Sequence, residues 1–282
     1  MSRVDLHIHS TASDGRHNPA EVVRMGAEAG LSFMALADHD TVDGIPPALE
    51  AAKAFPSLRV IPAVEINTDV PKGEIHVLGY FIDYTDSHLQ DTLEQMRNSR
   101  IERAQGMIEK LKKLGMPIEW ERVKEIAGPG SIGRPHIAQA LLEKGYISTI
   151  KEAFNKYIGW GGPAYVARKK MTPVEAVELI LKTNGLAVLA HPLTITEPEA
   201  AIAELKAAGI VGLEAYYNNY TNDETRRCLN LARKYGLIAV GGSDYHGLDE
   251  NAETAIGGAN VPVEAATRLI ALAEQRLDPP LQ

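Results

Sequence analysis

The chain lacks most features that mark a secreted, membrane-spanning or DNA-wrapping protein. Of its 282 residues one is cysteine, Cys228, so no internal disulfide can form, and it reads as a small apolar side chain in a reducing compartment. No run reaches the roughly 18 consecutive apolar residues of a bilayer span, and Arg3 and Asp5 stand where a signal peptide needs its apolar core. The expectation is a soluble, cytoplasmic protein without a membrane partner. Positive charge is also short, with 29 Lys and Arg against 37 Asp and Glu and a formal net charge of −8. That balance excludes a general basic surface for extended DNA, so an anionic ligand has to be held locally. Repeats at solenoid periods, low-complexity tracts, a dinucleotide-type glycine fingerprint between a strand and a helix, and a G-x-S-x-G elbow are missing as well. Dinucleotide binding and covalent catalysis by serine or cysteine therefore lose their usual sequence support.

What is present is the composition of a globular protein, 45% hydrophobic and 23% charged, long enough for one large domain or a domain with an insertion. Strand and helix patterns alternate. RVDLHIH reads as a strand, and NPAEVVRMGAEAG as a helix with Asn18 as N-cap, Pro19 in its first turn and Gly30 past its end. LSFMALAD, RVIPAVEI and GEIHVLGYFI supply further strands, the last of undetermined direction, with GIPPALEAAKAF a helix between the first two. From TPVEAVELILKTNG the alternation resumes through LAVLAH, IVGLEAYY and LIAVGGSDYHG to a closing helix, VPVEAATRLIALAEQ. About seven strands joined by helical crossovers imply a mostly parallel sheet and favour an α/β barrel over a doubly wound sheet. Residues 88–168 break the rhythm with helical patterns alone. They are expected to form an inserted cap for substrate, with 1–87 and 169–282 forming the barrel. Arg97, Arg100 and Arg103 recur every third residue in this insertion, a spacing that aims them along one helix stripe.

The metal-type residues fall where strands end. His7 and His9 alternate on the first strand and so present both imidazoles to one side; His39 follows the second strand and Glu65 ends the third. His76 lies in the fourth, His191 ends the fifth, and Asp244 and His246 follow the last, with Asp14 in the loop after the first. In a parallel barrel those ends face one mouth, where enzymes of this architecture keep their chemistry. Imidazoles with carboxylates suit manganese, zinc or iron, a carboxylate such as Glu65 can bridge two ions, and this many ligands calls for two or three.

In order along the chain, DLHIHSTASDG, LADHDTVDG, PAVEIN, IHVLGY, LAHP and GGSDYHG resemble the motifs of the PHP (polymerase and histidinol phosphatase) family. The resemblance implies a metal-dependent phosphoesterase on a distorted seven-stranded (β/α) barrel with a helical insertion. It assigns one ion to His7, His9, Glu65 and Asp244, a second to Glu65, His76 and His191, and a third to Asp14, His39 and His246. Asp14 stands where some members carry histidine. Manganese is the expected metal, with zinc or iron(II) as alternatives, and the expected nucleophile is a metal-bridged hydroxide held by Glu65 and Asp244.

GPGSIGRPHIAQAL most resembles the family's small-nucleotide branch, which implies substrate contacts from Arg134 and His136, with Ser131, Arg100 and Arg103 nearby and His136 a candidate proton donor. The expected activity is hydrolysis of the 3′-phosphate of a 3′,5′-nucleoside bisphosphate such as adenosine 3′,5′-bisphosphate. A 5′–3′ exoribonuclease on short RNA and a non-catalytic metal-binding module are the alternatives. An amide or lactone hydrolase is a more distant reading, opposed by the arginines of the insertion. Tyr216, Tyr217 and Tyr220, with Asn218 and Asn219, are candidates to meet a base, and Asp38, Asp40 and Asp43 candidates to orient ligands.

Overall fold

A computed structural model describes residues 3–70, 73–128, 132–167, 171–218, 220–248 and 254–277. The chain forms two compact units, one made of Met1–Asp91 with Met171–Gln282 and the other of Thr92–Lys170.

The first unit carries a seven-stranded sheet in sequential order: β1 (Arg3–Ile8), β2 (Leu31–Leu36), β3 (Arg59–Val70), β4 (Gly73–Tyr80), β5 (Leu186–Leu189), β6 (Gly212–Tyr217) and β7 (Ile238–Gly242). Neighbours run parallel except at β4, which is antiparallel to both β3 and β5. The sheet curls into a nearly closed barrel. Its first strand meets the segment after its last, where the Asp244 N–H donates to the His7 carbonyl at 2.8 Å and the His9 N–H to the Tyr245 carbonyl at 2.9 Å.

Helices α1 (Pro19–Glu28), α2 (Ile45–Ala52), α7 (Pro173–Lys182), α8 (Pro198–Ala208), α9 (Asn222–Tyr235) and α10 (Val263–Leu277) connect or follow the strands; α1, α2, α7, α9 and α10 pack on the sheet, and α8 packs against α7 and α9. Their starts follow from local chemistry: Asn18, Thr172 and Thr221 each accept the N–H of the residue three further on, and at the two threonines a glutamate in that position returns the bond. One core cluster joins Leu6, Ala35, Ile61, Leu78, Val188 and Val240 to Ala265 and Leu269 of α10, and a second packs Ile8, Met34 and Leu36 against Val22, Val23 and Ala48.

Closure leaves no room for a side chain at Gly242, where a Cβ would lie 2.4 Å from the Cβ and backbone nitrogen of His7. Gly242→Ala is therefore expected to lower stability by at least about 2 kcal/mol, because a backbone contact cannot give way as a side chain can. Urea unfolding measures this; a loss within error would mean that β7 has slack against β1.

The second unit has its own core, with Met107, Leu111, Val123, Ile137, Leu141 and Ile158 fully buried together. It is built from the long α3 (Ser87–Lys113), which begins in the first unit, followed by α4 (Trp120–Ala127), α5 (Arg134–Glu143) and α6 (Ile150–Ala153), which runs into a π-helical turn at Phe154–Ile158. The sequence reading did not assign α4, a short helix with charged residues at half of its positions.

Candidate metal centre

Glu65 is the hub of the barrel's mouth. One carboxylate oxygen, Oε1, lies 2.8 Å from His76 Nδ1 and 3.1 Å from His191 Nε2; the other, Oε2, lies 3.1 Å from His7 Nε2, 3.3 Å from His9 Nε2 and 3.0 Å from His39 Nδ1. The carboxylate is wholly buried. Asp244 Oδ1 adds a second anion 3.0 Å from His9 Nε2 and 3.3 Å from His7 Nε2. Asp14 brings a third, 3.3 Å from His246 Nε2 and 3.7 Å from His39 Nε2.

Three sets of ligand atoms are each mutually within 4.8 Å: His7, His9, Glu65 and Asp244; His9, Asp14, His39 and His246; and His39, Glu65 and His76. These sets hold eight of the nine residues singled out from the sequence, and the ninth, His191, stands outside them but reaches Glu65 Oε1 with Nε2 at 3.1 Å. The structure adds that His9 stands in two of these sets and that His39 faces Glu65 as well as Asp14.

Topology explains why His76 belongs. It is the one imidazole of the group lying early in a strand, and β4 is the one strand that runs in reverse, so the beginning of β4 lies beside the ends of its neighbours. His191 and Asp244, just past β5 and β7, have φ of 25° and 51°. Non-glycine residues rarely adopt this left-handed conformation, and it is kept here where the backbone turns a ligand into the mouth.

The charges are mutually dependent. Burial alone would raise the Glu65 pKa, but the positive fields of His39, His7 and His76 hold it well below the usual carboxylate range. For Asp244 burial likewise raises and His7 and His9 lower, with the net direction strongly down; Asp14 is brought down in the same way by His39 and His246. Burial would depress the histidines, yet hydrogen bonds and charge from Asp244 and Glu65 lift His9 to about 10, and Glu65 lifts His76 to about 9. In such a pocket protons occupy positions that a divalent cation would take. The donor set fits an ion in kind, since imidazoles with carboxylates are the ligands of manganese, zinc and iron. Two buried nitrogens, His9 Nδ1 and His39 Nδ1, make no hydrogen bond, the second although it lies 3.0 Å from Glu65 Oε2, an arrangement that suits ligands sharing an ion.

Surrounding groups fix the rings. The Nδ1–H of His191 donates to Thr194 Oγ1 at 3.1 Å and that of His246 to the Asp244 carbonyl at 2.8 Å, which leaves each Nε2 for the mouth. Asp38 accepts from the Ser10 backbone and from the hydroxyls of Ser10 and Ser13, tying down the loop that carries Asp14, and Asp40 accepts the Asn67 N–H. Asp43 precedes Gly44, the N-cap of α2, and lies exposed.

The sequence reading missed Glu214. It is buried in β6, 3.0 Å from His7 Nδ1, and accepts the His191 backbone N–H at 2.8 Å. Of the three tyrosines considered for a base, two are bonded within the protein, the Tyr217 hydroxyl donating to Asp244 Oδ2 at 2.7 Å and the Tyr220 oxygen accepting the Leu193 N–H, while Tyr216 packs against the barrel core. Asn218 is bonded by Thr254, and Asn219 lies outside the described residues.

Arg100, Arg103, Arg134 and His136 all belong to the helical unit. Arg103 is buried and Arg100 half-buried on α3. Arg134 lies 5.6 Å from the centre of the Phe154 ring, within cation–π range, and His136 Nδ1 accepts the Gly133 N–H at 3.0 Å at the start of α5. Ser131 lies outside the described residues.

A barrel of this topology with imidazoles and carboxylates gathered at one mouth defines a metal-dependent hydrolase of the phosphoesterase type. The chain belongs to the PHP domain family, whose model matches residues 5–163. A 5′-3′ exoribonuclease of Haemophilus influenzae is 34% identical over 248 residues, covering 86% of this chain and 90% of that protein. A 3′,5′-nucleoside bisphosphate phosphatase of Chromobacterium violaceum is 32% identical over 87% of this chain and 88% of its own length. Among solved structures, an inferred metal-dependent phosphoesterase of Bifidobacterium adolescentis superposes with a TM-score of 0.79 at 27% identity, covering 96% of each chain. Among the described residues no helix is long and apolar enough to cross a membrane.

Proposed function

We propose that the protein is a phosphatase that hydrolyses the 3′-phosphate of 3′,5′-nucleoside bisphosphates, such as adenosine 3′,5′-bisphosphate, to the 5′-monophosphate and inorganic phosphate. The observation that carries the reading is the buried Glu65 carboxylate ringed by five imidazoles, with Asp244 and Asp14 beside them. We assign His7, His9, Glu65 and Asp244 to one divalent ion, Glu65, His76 and His191 to a second, and Asp14, His39 and His246 to a third, with manganese the expected metal. Such ions, when bound, neutralise phosphoryl oxygens and make water a nucleophile at neutral pH.

The residues divide the remaining work. Glu65 and Asp244 supply the negative charge that holds cations at the mouth, and the ring contacts from Thr194 and the Asp244 carbonyl keep His191 and His246 in the tautomer that offers Nε2. Arg134 offers a planar guanidinium to phosphate oxygens, where a bidentate contact is strongest. His136, whose Nδ1 accepts the Gly133 N–H at the start of α5, is assigned as the proton donor to the departing 3′ oxygen as the P–O bond breaks. With a net charge of −8, positive charge concentrated in an insertion supports a small anionic substrate over a long nucleic acid. The resemblance to the H. influenzae protein supports a second reading, a 5′–3′ exoribonuclease on short 5′-phosphorylated RNA that uses the same centre.

The test is phosphate release by manganese-loaded protein from adenosine 3′,5′-bisphosphate, AMP, adenosine 3′-monophosphate and a 5′-phosphorylated trinucleotide. Release from the bisphosphate alone, leaving AMP, is expected. Comparable cleavage of the trinucleotide would shift the assignment to the exonuclease, and silence on all four would overturn the substrate class. On the productive substrate Arg134→Lys is expected to lower kcat/KM about tenfold, because a point charge replaces a planar fork; an unchanged value would remove Arg134 from the phosphate site.

A further inference from the structure

Every other strand of the barrel, or the turn just after it, contributes at least one of the nine mouth ligands; β6 contributes none, yet it touches three of them. Glu214 meets His7 Nδ1 with Oε1 at 3.0 Å and the His191 backbone N–H with Oε2 at 2.8 Å; Tyr217 donates to Asp244 Oδ2 at 2.7 Å. These ligands come from β1, from the turn after β5 and from the turn after β7, so one strand braces groups from three separate elements.

Regular β geometry would not allow it. Residues three apart on a strand point to opposite faces, and Glu214 and Tyr217 are three apart. The β6–β7 pairing slips between Glu214 and Tyr216: Glu214 faces Val240, Tyr216 faces Gly241 and Tyr217 faces Gly242, so two steps along β6 match one along β7. This bulge resets the alternation and turns both side chains to the ligands. β7 accommodates it through Gly241, where a Cβ would lie 1.9 Å from the Tyr216 carbonyl oxygen. The adjacent glycines of GGSDYH thus have separate causes: Gly241 admits the bulge of β6, and Gly242 admits His7.

We infer that β6 is a positioning strand for the metal centre, in which Glu214 holds His7 with Nε2 toward the ion and anchors the left-handed backbone of His191, while Tyr217 orients Asp244. The inference rests on reading the ligand cluster as a metal centre. Glu214 is 0% exposed and Tyr217 half-buried; a carboxylate placed there without a partner would be costly, whereas one that fixes an imidazole tautomer raises the ligand's affinity for metal.

The experiment compares wild type, Glu214→Gln and Tyr217→Phe in the full chain, by chelator competition for manganese(II) and by the visible absorption of cobalt(II)-loaded protein, with circular dichroism as the check on folding. Glu214→Gln is expected to weaken metal binding roughly 10- to 100-fold and to alter the cobalt spectrum, since an amide cannot accept both N–H groups. Tyr217→Phe is expected to weaken it roughly tenfold, the worth of one hydrogen bond to a charged acceptor. Unchanged affinity and spectrum in a folded Glu214→Gln protein would overturn the inference. If that variant does not fold, Tyr217→Phe decides in the same way. A wild-type protein that binds neither metal would overturn the metal centre itself, and the role of β6 with it.

Discussion

Glu65→Gln is expected to reduce phosphate release by at least about a thousandfold, even at saturating manganese, and to lower the metal content of the purified protein. Among the described residues Glu65 is the one side chain in reach of His7, His9, His39, His76 and His191 together. The amide removes a buried negative charge from the middle of that ring and replaces one acceptor oxygen with an N–H₂ group that faces imidazole nitrogens meant for a cation. Loss of a single preorganised electrostatic contact in a buried site costs about 10²- to 10³-fold, and here the change also removes a shared ligand. Metal analysis beside steady-state kinetics makes the check. Retention of full metal content with activity lowered less than tenfold would show that Glu65 packs the centre without holding it.

Such a site was legible because its residues obey strand periodicity. His7 and His9 declare one face of β1, and His39, Glu65, His191, Asp244 and His246 each follow an apolar run that could be read as a strand. His76 was legible as a residue but not as a position, because direction in β4 depends on pairing between strands and leaves no mark in GEIHVLGY itself. Glu214 was hidden for a related reason. In GLEAYY it looks like a lone carboxylate among strand formers, and its partners lie 207 and 23 residues away, at His7 and His191. The bulge that brings Tyr217 round to the same side is a matter of register, which the sequence expresses only through Gly241 on the facing strand. The insertion was read through its arginines and long helix, while α4 was passed over although Trp120, Val123 and Ala127 recur at helical spacing, because eight residues carry only about two turns of that pattern.

Saturating manganese is expected to remove the loss of stability that the metal-free protein shows as pH rises. Without metal, His9 at about 10 and His76 at about 9 lie above the roughly 6.5 of an unfolded histidine, so each contributes stability fully present below about pH 6.5 and lost as pH rises through its folded value. Glu65, Asp244 and Asp14, held low, contribute in the other direction: their share is present above the unfolded carboxylate range of about 4 and is lost as pH falls through their depressed values. The metal-free protein should therefore be most stable near pH 5–6.5, by these values from about 4 and about 6.5, and weaken steadily toward pH 9. A metal needs the imidazoles without their protons, so binding releases protons and tightens as pH rises. At a thousand times its dissociation constant, manganese adds about 4 kcal/mol to the folded state. Thermal unfolding of the chelator-treated and manganese-saturated protein at pH 6, 7.5 and 9 would give two sets of melting temperatures that diverge with pH. Parallel curves would mean that the cation binds away from these histidines, because only an ion that displaces their protons can open the gap between the two.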